Sequence, residues 1–450
     1  MLLTIEKLIY GGDGLARLPA DEHGRGKAVF VPFVLAQEKI EAILLQQKSG
    51  FARARVNQIV EASPHRIAAA CPYFARCGGC HYQQSDYGHQ LEIKKEILRE
   101  NLRRIAKLEL PCEIEVHPSP PWNYRNRSRL QVRIAPEFAL GYFKFGSHQL
   151  LLVEECPISS PLINRGIAAL WQLGRKDNAP AGLREVELFA NADDTQLLVE
   201  IYCVAEAKRS LVKKWVEELR VAMPEIAAIV AFREAQPGKG GAAQETLLSL
   251  GDGHVIYQTQ SAAYRVSAGS FFQTNRHLAD ELVKIVTQGQ TGELAVDLYA
   301  GVGLFSTALA CDFRHMVSVE PSQTAFADLQ YNLPKNGKAI QATAEQYLSG
   351  WQKSEAGNQE RSGSEAALPS GTRKPDFVIV DPPRSGLGER IARAVADMGA
   401  SRIAYVSCDP ATLARDLVLL LSAGYRIDRA HLLDLFPQTY HLETVLHLSR

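Results

Sequence analysis

The chain carries no excess charge of either sign: 50 lysine and arginine side chains balance 50 aspartate and glutamate side chains over 450 residues. That balance excludes a global positive field, so any contact with nucleic acid has to come from local basic clusters. Long apolar runs are also missing, and without one no membrane-spanning helix is expected. The N-terminal MLLTIEKLIYGGDG lacks the basic-then-apolar order of a secretory leader, so the expectation is a cytoplasmic protein with no membrane partner. Cysteine is sparse at 8 residues, too few for a disulfide framework in a chain of this size. Reduced thiols, metal ligands or a catalytic thiol remain.

What is present is sufficient for a globular protein of two or three domains: 46% of residues are hydrophobic and 22% charged. Residues 1–61 alternate short apolar runs with turn signals, the rhythm of a small OB-like β-barrel. Residues 62–265 read as a central α+β region. It contains CPYFARCGGCHY and then a helix over about 86–107, with apolar positions Leu91, Ile97, Leu98, Leu102 and Ile105, a basic opposite face, and an expected packing onto the C-terminal domain. Lys94, Lys95, Arg99, Arg103, Arg104, Arg125, Arg127, Arg129 and Arg133 are the basic residues available for phosphates. From 266 to 450 strand-like and helical segments alternate as in a doubly wound, Rossmann-like α/β sheet, interrupted by a polar stretch at 352–374 expected to be a mobile surface loop.

The chemistry concentrates in that last region. VDLYAGVGLFS places an acid at a strand end before Gly301 and Gly303, which permit close backbone approach to a ligand. Glu320, nineteen positions beyond Gly301, ends the next strand where a carboxylate accepts from the ribose hydroxyls of an adenosine ligand. The third glycine of the dinucleotide fingerprint is absent, which makes NAD the lesser choice. Asp381 in FVIVDPPRSG and Cys408 in YVSCDPATLARDL both stand at carboxyl ends of strands, where open α/β sheets keep their active groups. A helix starting near Pro410 would favour the Cys408 thiolate. Glu443 precedes an apolar VLHL run and is either a sheet cap or an active acid. Cys71, Cys77 and Cys80 have C-x5-C-x2-C spacing and, with Cys156 in EECPI, make four thiolates for one centre; spacing alone does not choose zinc or a four-iron cluster.

Taken together, VDLYAGVG, DPPRSG, SCDPATLARDL, LDLFPQTYHLE and the cysteine cluster resemble the RNA uracil-5-methyltransferase family over nearly the whole chain. The resemblance implies a class I S-adenosylmethionine-dependent methyltransferase domain, a TRAM domain over 1–61, and a [4Fe-4S] cluster on Cys71, Cys77, Cys80 and Cys156. Through AGSFFQTN it implies that Gln273 contacts S-adenosylmethionine together with Tyr299, Glu320 and Asp381, with Cys408 as nucleophile and Glu443 as base. The expected partner is RNA, ribosomal rather than transfer RNA, with no protein partner. Two departures from the family pattern, Leu304 and the absence of an acid before Glu345, leave the adenine contacts open. An oxidoreductase reading leaves DPPR and Cys408 without work, and an RNA-binding platform leaves Cys408 dispensable.

Overall fold

In the computed structural model the described residues are 1–19, 26–176, 178–234, 244–356 and 374–450. The N-terminal 61 residues form a curled six-stranded sheet ordered Leu2–Thr4, Lys39–Gln47, Phe51–Glu61, Ala28–Pro32, Asp13–Arg17, Lys7–Leu8. Its core is small, with Leu3, Ile5, Val29, Val31, Val34 and Ile40 buried inside the curl. Alternation along Ala28–Pro32, with Val29 and Val31 inward, is the period-2 pattern that makes such a sheet.

The central region is a seven-stranded sheet running from Leu150–Leu152 to Gln244–Leu250, with the helices Pro161–Gly174 and Arg209–Ala222 contributing to its core through Leu170, Trp171, Trp215 and Leu219. The strand Leu197–Cys203 is buried along its whole length.

The C-terminal domain is built on an eight-stranded sheet, ordered Gly337–Ile340, Phe313–Val319, Gly292–Asp297, Phe377–Val380, Arg402–Ser407, Glu443–Ser449, Arg426–Leu433, Ile114–His117. The run from Gly337–Ile340 to Arg402–Ser407 is parallel, and Glu443–Ser449 inserts antiparallel beside Arg402–Ser407. Phe377–Val380 is buried at every position, as expected for a parallel strand covered on both faces. Between Gly292–Asp297 and Phe377–Val380 the strand order reverses, and the crevice at such a switch point is where ligands of open α/β sheets bind.

Two features differ from the sequence reading. The strand Ile114–His117, assigned to the central region, is the eighth strand of the C-terminal sheet. It gets there because the helix Tyr87–Asn101 and the π-helical turn Leu102–Ala106 lay Leu98 and Leu102 into the same core as Leu413, Leu417 and Leu420. Second, the helix Ala344–Ala356 extends into the stretch expected as a loop, of which residues 357–373 lie outside the described residues.

Candidate active site

The carboxyl ends of the central strands form an acidic crevice. Asp297 is fully buried; its Oδ2 accepts from Ser306 Oγ at 2.7 Å, while Oδ1 is buried without a partner. Burial pushes its carboxyl up to about 6. Glu320 accepts from the backbone N–H of Gly301 at 3.0 Å and of Ser322 at 2.7 Å, so one carboxylate fixes the glycine turn and the next strand end together. Gly301 has φ +54°, and a Cβ there would meet nothing within 4 Å, which leaves open space where the turn faces a ligand. Gly303, at φ +95°, caps the helix Leu304–Leu309, and a Cβ would come 2.9 Å from Leu329. Tyr299 is half-buried beside these groups, and Leu304 is buried core.

Asp381 follows Val380 across the switch point, and its carboxyl is raised first by burial and then by Asp297. Cys408 follows Ser407, the last residue of Arg402–Ser407, and Ser407 pairs in register with Thr444, next to Glu443. Glu443 is buried, and its carboxyl is held well above the ordinary range by burial and by Asp381, with Arg384 opposing. The Cys408 thiol is pushed up to about 12 by burial, then by Glu443 and Asp381, while Arg384 pulls it down. Residues thirty-five positions apart therefore share one electrostatic environment.

That finding corrects the expectation of a thiolate favoured by a helix terminus. The helix Pro410–Ser422 does begin beside Cys408, but Asp409 caps it, accepting from Ala411 N at 3.0 Å and Thr412 N at 2.9 Å. The positive end is neutralised by that carboxylate, and two further acids face the sulfur.

The segment that delivers Glu443, residues 434–442, makes local turns of its own and is fixed in place by parts of the chain far away in sequence. Lys94 Nζ lies 2.5 Å from Asp434 and donates to the Phe436 carbonyl at 3.0 Å. Gln90 exchanges two hydrogen bonds with Gln438, both 3.0 Å. Tyr124 donates to the Pro437 carbonyl at 3.0 Å, and His81 N donates to Gln438 O at 2.8 Å. Lys94 is thus fully buried in an ion pair and unavailable to phosphate. The same correction applies to Arg127, which is 10% exposed and paired with Glu187 and Glu200. Arg129 is engaged by Glu185 and Glu187.

Cys71, Cys77, Cys80 and Cys156 line one cavity of about 370 Å³, together with Arg125, Tyr142, Tyr440 and His441. Burial raises the thiols of Cys71, Cys77 and Cys80. Among the described residues no three of these sulfurs come within 4.8 Å of one another. Tetrahedral zinc would hold thiolates about 3.8 Å apart. The ring of Tyr440 stands between the two regions, meeting His81 at 4.6 Å and Tyr10 at 5.4 Å edge-on and His441 at 4.1 Å at a tilt.

Gln273 is buried on the segment leading to Asn275, whose amide donates to Ser119 Oγ at 2.9 Å and Leu435 O at 3.1 Å. Among the described residues it shares no hydrogen bond with the other candidate positions. Glu345 pairs with Arg390 on the surface. Two site residues escaped the sequence reading. Asp297 was visible only as an acid at a strand end, and its buried, unpartnered oxygen is a tertiary property. Tyr10 left no signal, because nothing local links an N-terminal tyrosine to a cysteine near residue 400.

Comparison with known proteins follows the same lines. A family model described as tRNA (uracil-5-)-methyltransferase matches residues 86–450. A protein of Aquifex aeolicus (strain VF5), named an uncharacterized RNA methyltransferase, is 32% identical over 99% of this chain and 98% of its own. A 23S rRNA (uracil(1939)-C(5))-methyltransferase of Pseudomonas fluorescens (strain Pf0-1) is 33% identical over 98% of this chain and 90% of its own. Among solved structures, the tRNA (uracil-54, C5)-methyltransferase of Pyrococcus abyssi, in complex with S-adenosyl-L-homocysteine, superposes with a TM-score of 0.73 over 100% of both chains at 24% identity.

Proposed function

The chain belongs to the tRNA (uracil-5-)-methyltransferase family and is an RNA (uracil-5-)-methyltransferase, and from that premise we propose that it methylates a uridine of 23S ribosomal RNA through a covalent Cys408 adduct. The observation that carries the covalent reading is the gathering of Cys408, Glu443 and Asp381 at the ends of neighbouring strands, close enough to act on one another's charge.

The acidic crevice suits S-adenosylmethionine, whose sulfonium and ammonium groups are cationic. Glu320 is placed for the ribose hydroxyls, Asp297 and Asp381 for the cationic part, with Gln273 and Tyr299 completing the contacts. When bound, the cofactor supplies an electrophilic methyl group.

Carbon 5 of uracil is a weak nucleophile, so the protein first has to enrich it. The Cys408 thiol gives up its proton to solvent as the uracil enters, the resulting thiolate adds to carbon 6, and the electron pair of the 5,6 double bond moves toward carbon 5 and the carbonyl oxygen. Arg384, the cation that acts on both Cys408 and Glu443, stabilises that negative charge. Once carbon 5 carries the methyl group, Glu443 takes the carbon 5 proton, the double bond re-forms and the thiolate leaves. A carboxyl raised by burial is suited to accepting that proton. The base has to leave its stack to reach Cys408, which favours an unpaired RNA site gripped by flanking contacts, with the N-terminal curled sheet acting as a TRAM domain.

Cys71, Cys77, Cys80 and Cys156 are read as the ligands of a [4Fe-4S] cluster. Four thiols lining one cavity of about 370 Å³ support that reading, since such a cluster takes four thiolates. Methyl transfer needs no electron, so its role is to order the loop that Tyr440 and His441 share with Glu443.

The test is nucleoside mass spectrometry after incubation of the protein with S-adenosylmethionine and either unmodified 23S rRNA or transfer RNA, beside a Cys408→Ala control. 5-Methyluridine in the 23S rRNA arm alone, and only with Cys408 intact, is the expected result. Product in the Cys408→Ala arm would overturn the covalent route, and product in transfer RNA alone would overturn the substrate.

A further inference from the structure

A second cluster of ligating side chains lies outside the active site, at the far edge of the C-terminal sheet. His431 on Arg426–Leu433 pairs in register with Glu115 on Ile114–His117, and His117, two residues on, shares the face of Glu115. The helix Ala279–Thr287 covers that face, bringing Glu281 against His117. His117 Nε2 lies 3.1 Å from His431 Nδ1 and 3.8 Å from Glu115 Oε1, and His431 Nδ1 lies 3.4 Å from Glu115 Oε2.

We propose that Glu115, His117 and His431 bind a divalent transition-metal ion, with zinc the ion that best fits two imidazoles and one carboxylate. The 3.1 Å between the two imidazole nitrogens is close to the edge of a tetrahedron around zinc, about 3.3 Å for bonds of about 2.0 Å, and the Glu115 carboxylate comes within 3.8 Å of one ring through Oε1 and 3.4 Å of the other through Oε2. The support around the ligands matches as well. His117 presents its other ring nitrogen, Nδ1, to Glu281 at 3.4 Å, the carboxylate–histidine arrangement that orients a ligating imidazole. His431 is 7% exposed, and its Nε2 is buried without a partner, so its ring is held by packing rather than by a second hydrogen bond like that of His117. Glu115 is 67% exposed, which leaves a path for the ion and a fourth position for water.

Such an ion would fasten the last strand of the sheet to its neighbour. Leu433 pairs in register with both His117 and Glu443, so the fastened edge is the one from which the loop to Glu443 departs.

The experiment is a cobalt(II) titration of the full-length protein, prepared anaerobically so that the cysteine centre is retained, followed by visible absorption and circular dichroism. Wild type should take up one equivalent with d–d bands and no thiolate-to-cobalt charge transfer. His117→Ala and Glu115→Ala should each lose that equivalent, and Glu281→Ala should retain it with affinity about 10-fold weaker. Because Glu115 is exposed, its variant decides the matter even where His117→Ala unfolds. Equal uptake by wild type and both ligand variants, or bands of thiolate character only, would overturn the site.

Discussion

The hydroxyl of Tyr10, in the N-terminal curled sheet, donates a hydrogen bond of 3.0 Å to the carbonyl oxygen of Cys408. Its ring meets Tyr440 edge-on at 5.4 Å, so the N-terminal domain touches the proposed nucleophile and the loop before Glu443 at once. Tyr10→Phe keeps the ring and removes only the bond. A hydrogen bond of this kind contributes about 0.5–1.5 kcal/mol, so kcat should fall by about 2- to 10-fold while KM for S-adenosylmethionine stays near the wild-type value. Steady-state methyl-transfer kinetics check this.

Glu443→Gln should stop the cycle after methylation, because an amide does not take the carbon 5 proton. The expected signature is a protein–RNA adduct that survives denaturing electrophoresis and disappears in the Glu443→Gln, Cys408→Ala double variant. Free methylated RNA at the wild-type rate from Glu443→Gln would remove the base role.

The same substitution should change the reactivity of the thiol. Burial first, then Glu443 and Asp381, hold the Cys408 thiol up to about 12. Removing the Glu443 charge lowers that pKa, so alkylation of Cys408 by iodoacetamide at pH 8 should be faster in Glu443→Gln than in wild type. Slower alkylation would reverse the electrostatic account.

Lys94→Ala leaves the Asp434 carboxylate buried without its partner. Breaking a buried ion pair from one side costs about 3–5 kcal/mol, read as a lower urea midpoint. Lys95→Ala, on the exposed side of the same helix, should leave the midpoint unchanged.

Burial, in each case the largest cause, holds His81, His441 and His447 far below the ordinary imidazole value of 6.5, to about 4, 3 and 4. Their folded forms resist protonation while the unfolded chain accepts it, so this stability is whole above pH 6.5 and is lost as pH falls toward 4. The raised carboxyls of Asp381 and Glu443 act in the opposite sense, being lost as pH rises. The difference between wild type and His447→Gln is therefore the readout: the gap in Tm should narrow as pH drops through that window.

The doubly wound sheet was legible because its strands are buried runs such as FVIV and IAYVS separated by helical segments, and burial on both faces leaves a local mark on composition. Cys408 and Asp381 were legible for a related reason, since the end of a buried strand can be located from its own neighbours. The eighth strand was not: IEVH is short, and only packing against Leu432 and its neighbours makes it part of that sheet. Lys94, Arg127 and Arg129 looked like a phosphate-binding surface because a sequence does not show which cations face an acid.

By itself, then, the sequence determined what local pattern controls: the alternating strands, the glycine turn beside Glu320, and the positions of Cys408 and Asp381 just past strand ends. Tertiary structure decided what those groups experience. It placed Glu443 and Asp381 near Cys408 and capped the neighbouring helix with Asp409, so that burial and these acids push the thiol upward. It also brought Tyr10 and Lys94 to a loop hundreds of residues away. The physical reason is that desolvation and Coulomb interactions depend on distance in space, whereas periodicity and turn chemistry depend on distance along the chain.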